Sequence, residues 1–137
     1  MIVRQAPPED FGWLIHRVGC APTTGFRAIE AVHEDGRIAG MIAFDTWWGN
    51  AAQMHFAIDE PLCFRKLAPE AFRYVFSMAK RDVVVGWVPE SRADLHSLAL
   101  RLGFTELCRV KDGWGRGVDV IMVELRRENC RWLKERN

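Results

Sequence analysis

The 137-residue sequence predicts one α/β (α+β) domain built on a mixed, mostly antiparallel sheet. Three observations carry that expectation. Residues 26–58 read as three extended runs joined by tight-turn signals, an antiparallel meander. Residues 52–88 then give strand, helix, strand, which requires a parallel crossover, right-handed by rule. A second helix and two closing extended runs complete the order β-α-β-β-β-α-β-α-β-β, with a short helix at the C-terminus.

Each element has its own local reason. "MIVRQ" is a short first strand. "APPEDFGWLIHRVG" opens with Pro and an acidic turn and sets Phe11, Leu14, Ile15 and Val18 at helical spacing. After "CAPTTG", the run "FRAIEAVH" alternates, with Phe26, Ala28, Glu30 and Val32 on one side and Arg27, Ile29, Ala31 and His33 on the other. "EDGR" turns the chain into "IAGMIAFDTWW", and "GN" turns it back into "AAQMHFAI". In "RKLAPEAFRYVFSMAK" a stripe of Leu67, Ala71, Tyr74, Val75 and Met78 marks a helix, with Pro69 expected in or before its first turn. "DVVVGWV" is apolar nearly throughout, as for a strand covered on both faces. Leu95, Leu98, Ala99 and Leu102 stripe the next helix, and Gly103 suits its C-terminal cap. "FTELCRV" and "VDVIMVEL" close the sheet across the turn-rich "KDGWGRG". Residues 126–137 form a basic tail in which Arg126, Arg127, Arg131, Lys134 and Arg136 outnumber Glu128 and Glu135; a solvated helix is expected there.

Composition narrows function by exclusion. Hydrophobic residues make up 49% and charged residues 27%, ordinary for a folded chain. A net charge of +1 gives no global pull toward nucleic acid, so any phosphate recognition must be local. Cys20, Cys63, Cys108 and Cys130 are widely separated, with no C-x-x-C pair, so no metal site is expected and reduced thiols fit a cytosolic setting. No apolar run approaches the roughly 20 residues of a membrane span, and the N-terminus lacks a signal-peptide core. There is no P-loop, no H-E-x-x-H and no Ser/His/Asp order.

The element order and the phrase "VPESRADLHSLALRLGF" resemble the GNAT superfamily of N-acetyltransferases. In that family a strand is followed by N-x-x-A-x-x-L-Y-x-x-x-G-F, and Gly103-Phe104 stand where the motif ends. The resemblance spans "MIVRQAPPED" to "VIMVEL" and looks closest to short acetyltransferase-like proteins of bacteriophages and prophages, whose ends often read like "RENCRWL". The family's phosphate loop, Q/R-x-x-G-x-G/A, falls on Glu60 to Arg65, where both glycines are absent; the motif Asn falls on Arg92 and its Tyr on Ala99.

The resemblance implies transfer of an acetyl group from acetyl-CoA to an amine of a small molecule or protein. It also implies a binding strand, Phe56, Ala57 and Ile58, that splays from its neighbour to receive the pantetheine arm. The junction after it, Cys63, Phe64, Arg65 and Lys66, would hold the pyrophosphate at helix-start N–H groups, with Arg92 nearby. For proton abstraction the candidates are His55, Asp45, Asp59 and Glu60. His55 leads because imidazole titrates near neutrality and its position is mid-strand beside the expected thioester. Tyr74 is read as core, His96 as surface; Trp47, Trp48 or Trp114 could border the acceptor. The runner-up is a binding or structural protein of a phage or prophage that keeps the fold without catalysis. A homodimer is common among proteins of this kind.

Overall fold

The expected order of elements is the observed one. The computed structural model describes residues 1–134, with β1 (Ile2–Gln5), α1 (Phe11–Val18), β2 (Arg27–Val32), β3 (Ile38–Trp48) and β4 (Ala51–Ile58). There follow α2 (Phe64–Phe72), β5 (Val83–Pro89), α3 (Ala93–Leu102), β6 (Thr105–Gly115), β7 (Val118–Arg126) and α4 (Arg131–Lys134). The strands make one seven-stranded sheet of order β1-β2-β3-β4-β5-β7-β6. Every neighbouring pair is antiparallel except β4 and β5, which α2 joins in parallel.

Alternation along β3 sorts side chains into two cores. Met41 and Ala43 join Leu14, Phe26, Ala28 and Ala57 in the smaller cluster, against which Phe11 and Trp13 of α1 pack. Ile42 and Phe44 join the larger cluster with Leu67, Phe72 and Phe76, where Ala99 and Leu102 of α3 also meet Val123 and Leu125 of β7. Gly103, at φ +111°, ends α3 in the left-handed region that glycine adopts without strain. No helix among the described residues is long and apolar enough to cross a membrane.

Four local expectations need correction. Pro69 lies inside α2, not at its start, because a 3-10 turn over Pro61–Cys63 begins the helical path earlier. A π-helical turn, Arg73–Met78, follows α2 and shifts the phase of the stripe. Phe72 and Phe76 therefore take core positions, stacked 6.0 Å apart, while Met78 is 67% exposed. "KDGWG" continues β6 past a register shift, so the hairpin turns only at Arg116 and Gly117. The tail is anchored where a solvated helix was expected: Cys130 and Trp132 are buried, and the Trp132 Nε1–H donates to the Leu102 carbonyl at 2.8 Å. Glu135 and Arg136 of that tail lie outside the described residues.

One close approach ties the β4–α2 turn to the sheet. A Cβ on Gly40 would sit 2.8 Å from Cys63 Sγ and 2.9 Å from Ile58 Cδ1. Gly40→Ala should lower unfolding free energy by about 1–3 kcal/mol through overpacking, measured by urea denaturation. Adding Cys63→Ala should recover part of that loss; a double variant no more stable than Gly40→Ala would contradict the contact.

Candidate active site

The parallel pair β4/β5 lasts for three rungs, Ala51↔Val83, Ala52↔Val84 and Gln53↔Val85. Beyond them β4 continues beside β3 to Ile58, and β5 beside β7 to Pro89, so the two strands part. Along residues 54–58, alternate backbone N–H and C=O groups consequently face an open gap. Two cavities lie along it.

The first, about 260 Å³, is bordered by the loop after α1 (Cys20, Thr23), by Asp45, by Met54, His55 and Phe56 of β4, and by Trp87 and Trp114. His55 Nε2–H donates to Asp45 Oδ1 at 2.7 Å, with the Asp45 side chain 1% exposed. The Thr23 backbone N–H donates to Asp45 Oδ2 at 2.9 Å, and Thr46 Oγ1–H to Oδ1 at 3.3 Å. Both carboxylate oxygens are thus satisfied inside the protein. With the carboxylate accepting, the shared proton lies on Nε2; Nδ1 has no partner among the described residues, so in the neutral ring its lone pair is open to the cavity. The Phe26 ring stacks on the imidazole with centroids 6.1 Å apart, fixing its plane.

Asp45 reaches this position through a bulge. The β3–β4 register shifts between Asp45 and Trp48, and Thr46 there adopts φ +51°, unfavourable for a β-branched residue. Two bonds to Thr23 hold it: the Thr46 N–H donates to Thr23 Oγ1 at 3.0 Å, and the two hydroxyls lie 3.4 Å apart. Neither Thr23 nor Thr46 stood out in sequence. Strand length gave no signal, since β3 overruns β4 at Ile38 and Ala39; the bulge is the one extra residue where Asp45 to Trp48 faces Gln53 to Ala51.

The second cavity, about 300 Å³, continues the gap past Ala57 and Ile58 to Phe64, Arg92, Leu98 and Arg101. Arg17, which sequence reading passed over, also lines it and pairs with Asp59 at 2.8 Å. Arg92 pairs with Asp94, and its guanidinium holds that carboxyl below the ordinary range. Arg101 lies over the Phe64 ring at 5.2 Å and makes no ion pair among the described residues. Arg65 lines a third, adjoining cleft with Arg101 and Arg131.

Of the helix-start N–H groups expected to be open, those of Cys63 and Phe64 are engaged. Those of Asp59 and Glu60 both reach the Ala39 carbonyl, that of Cys63 reaches Glu60 and that of Phe64 reaches Pro61, which has none of its own. Without glycine the turn closes as a 3-10 helix that uses the Cys63 and Phe64 donors within itself, while β3 takes those of Asp59 and Glu60. The Cys63 side chain is buried in the core, and Lys66 is exposed but borders none of these cavities. Glu60 turns away to His33, 2.8 Å from its Nε2. Tyr74 packs edge-on against Trp47, and Trp48 is exposed. His96 lies partly buried, 3.7 Å from Glu106.

This fold is shared with solved N-acetyltransferases. A variant form of the spermidine/spermine N-acetyltransferase SpeG from Vibrio cholerae superposes with TM-score 0.75 over 99% of each chain at 13% identity. The Vibrio cholerae spermidine N-acetyltransferase solved with CoA and spermine gives TM-score 0.70 over 93% of this chain and 96% of its own at 15% identity. A structure assigned as a phosphinothricin N-acetyltransferase gives 0.68 over 91% and 97% at 17% identity. No protein-family model matches the sequence, and no curated protein matches it.

Thiol chemistry in the site follows from burial. Desolvation and the Asp45 charge both raise the Cys20 pKa, which keeps that thiol protonated and a poor nucleophile. Burial pushes Cys63 to about 11 and raises Cys130 as well, whereas Cys108 is exposed. Iodoacetamide at pH 8 should therefore label Cys108 first, Cys20 slowly, and Cys63 and Cys130 only on unfolding, as read by mass spectrometry. Native labelling of Cys63 at the rate of Cys108 would refute its placement under Gly40.

Proposed function

We propose that the chain is an acetyl-CoA-dependent N-acetyltransferase acting in the cytosol on an amine of a small molecule or protein. The observation that carries this reading is the His55–Asp45 pair at one end of the gap between β4 and β5. The gap suits an extended amide-bearing arm, since the open backbone groups of residues 54–58 match pantetheine's alternating donors and acceptors. Arg17, Arg92 and Arg101 lie at the other end, so pyrophosphate recognition here falls to guanidinium groups in place of a backbone cradle. Arg65 extends that positive rim.

The donor supplies an acyl group already activated as a thioester. The chain's own residues do the rest. The acceptor amine enters the first cavity and gives its proton to His55 Nδ1. Asp45 holds the ring through Nε2 and stabilises the imidazolium that forms, the orienting role a buried carboxylate plays beside a catalytic histidine. Backbone N–H groups of β4 beside the thioester stabilise the carbonyl oxygen as it becomes negative. Ala99 occupies the place of the family's tyrosine, and Tyr74 packs against Phe44 and Trp47, so water protonates the departing thiolate.

His55→Ala should lower kcat by about 10²–10⁴-fold with little change in KM for acetyl-CoA, the usual scale for losing a positioned base. Arg92→Ala and Arg65→Ala should instead raise that KM. A His55→Ala enzyme with unchanged kcat would remove the base assignment.

The engaged helix-start amides favour a second reading, a GNAT-fold binding or structural protein of a phage or prophage that no longer transfers acetyl groups. A ligand bound only by the native state must raise its apparent stability, by about 2.7 kcal/mol at one hundred times Kd. Acetyl-CoA and free CoA should each raise Tm at millimolar concentration; no shift would favour the second reading. Assembly as a homodimer is consistent with β6, an edge strand exposed along its whole length with Leu107, Val110 and Trp114 on it.

A further inference from the structure

We infer that the acceptor is a monoamine carried on an aromatic or bulky apolar body, and not a polyamine; this rests on the transfer reaction proposed above. Asp45 is the one carboxylate among the residues lining the cavity at His55. It is buried, and His55, Thr23 and Thr46 already occupy both its oxygens. A second or third ammonium group entering this cavity would lose its hydration and meet no counter-charge, which is costly for any ion. The gap beyond it is the place proposed above for the donor's pantetheine arm and pyrophosphate, and its Asp59 and Asp94 are paired with Arg17 and Arg92, so it offers the rest of a polyamine neither room nor counter-charge. The solved relative holding spermine shares the fold but at 15% identity, so its acceptor does not transfer with it.

What the cavity does offer is apolar surface. Val18, Met54, Phe56, Val88 and Leu95 line it, and Trp87 from β5 and Trp114 from β6 stand at it 49% and 46% exposed. Two half-exposed indole rings on one cavity, beside these apolar side chains, give a ligand apolar surface to cover. Their faces suit an aromatic ring by stacking, or the methylene next to a single ammonium. The volume of about 260 Å³ exceeds the roughly 150 Å³ that accommodates benzene in an engineered protein cavity. A single ring with a short aminoalkyl arm fits, its nitrogen directed to His55.

The test compares phenethylamine, tryptamine and spermidine at fixed acetyl-CoA, and separately follows tryptophan fluorescence on adding phenethylamine without acetyl-CoA. The two aryl amines should show kcat/KM at least about tenfold above spermidine, the scale of one to two well-made aromatic or cation–π contacts. Trp114→Ala and Trp87→Ala should each raise the phenethylamine KM about tenfold, with a much smaller effect on kcat. The fluorescence change should shrink in Trp114→Ala and in Trp87→Ala and be lost when both are replaced. Spermidine acetylated as well as the aryl amines, or phenethylamine giving neither turnover nor a fluorescence change, overturns the inference. Binding of phenethylamine without acetylation of any amine supports the pocket's preference and counts against the transfer reaction alone.

Discussion

Where β4 parts from β5, the sheet forgoes backbone hydrogen bonds that an ordinary parallel pair would make, each worth about 1 kcal/mol net. Unpaired strand edges inside a fold are unfavourable, and here the surrounding layers hold them open. β3 stays paired with β4 as far as Ile58 and β7 with β5 as far as Pro89, so each parted strand keeps a hydrogen-bonded neighbour on its outer side. The cavities, the aim of His55 and the arginine rim follow from that parting. Zipping the strands together for another few rungs would place β5 backbone where the site now is.

Much of this architecture is legible in the sequence because it depends on short-range pattern. Alternation in "AAQMHFAI" and the two-residue "GN" turn define β4 to the residue, and Gly103 caps α3 at the position its sequence suggests. Errors cluster where a long-range contact outweighs a local preference. The apolar stripe of α2 loses phase at the π-helical turn, so Met78 leaves the core and Phe76 enters it. The tail reads as solvated because its charges are many, yet Trp132 finds a carbonyl 30 residues away and packs against the Phe64 ring.

The candidate site was half legible, for a related reason. Residue type singled out His55, and Asp45 stood beside it only as one candidate base among several. Their pairing needs β3 and β4 in register and Thr23 brought in from another loop, which no spacing rule encodes. The junction expected to hold phosphate departs from an open cradle for a reason the sequence does contain. A turn reading "DEPLCF" has a proline and no glycine and closes as a 3-10 turn that uses the Cys63 and Phe64 donors, and the positive charge at that end of the gap includes Arg17, Arg92 and Arg101 on three separate stretches of chain. Ion pairs with Asp59 and Asp94 fix the Arg17 and Arg92 guanidinium groups there.

Thr46 carries a consequence of its own. Held at a positive φ by Thr23, it keeps the carboxylate beneath His55 in place, and it does so against its own backbone preference. Selection for heat resistance alone would favour glycine or asparagine there, relaxing the bulge while loosening the carboxylate's support. Backbone ease and the order of the His55–Asp45 pair thus pull this position in opposite directions, and descendants of this chain bred only for durability would loosen that corner.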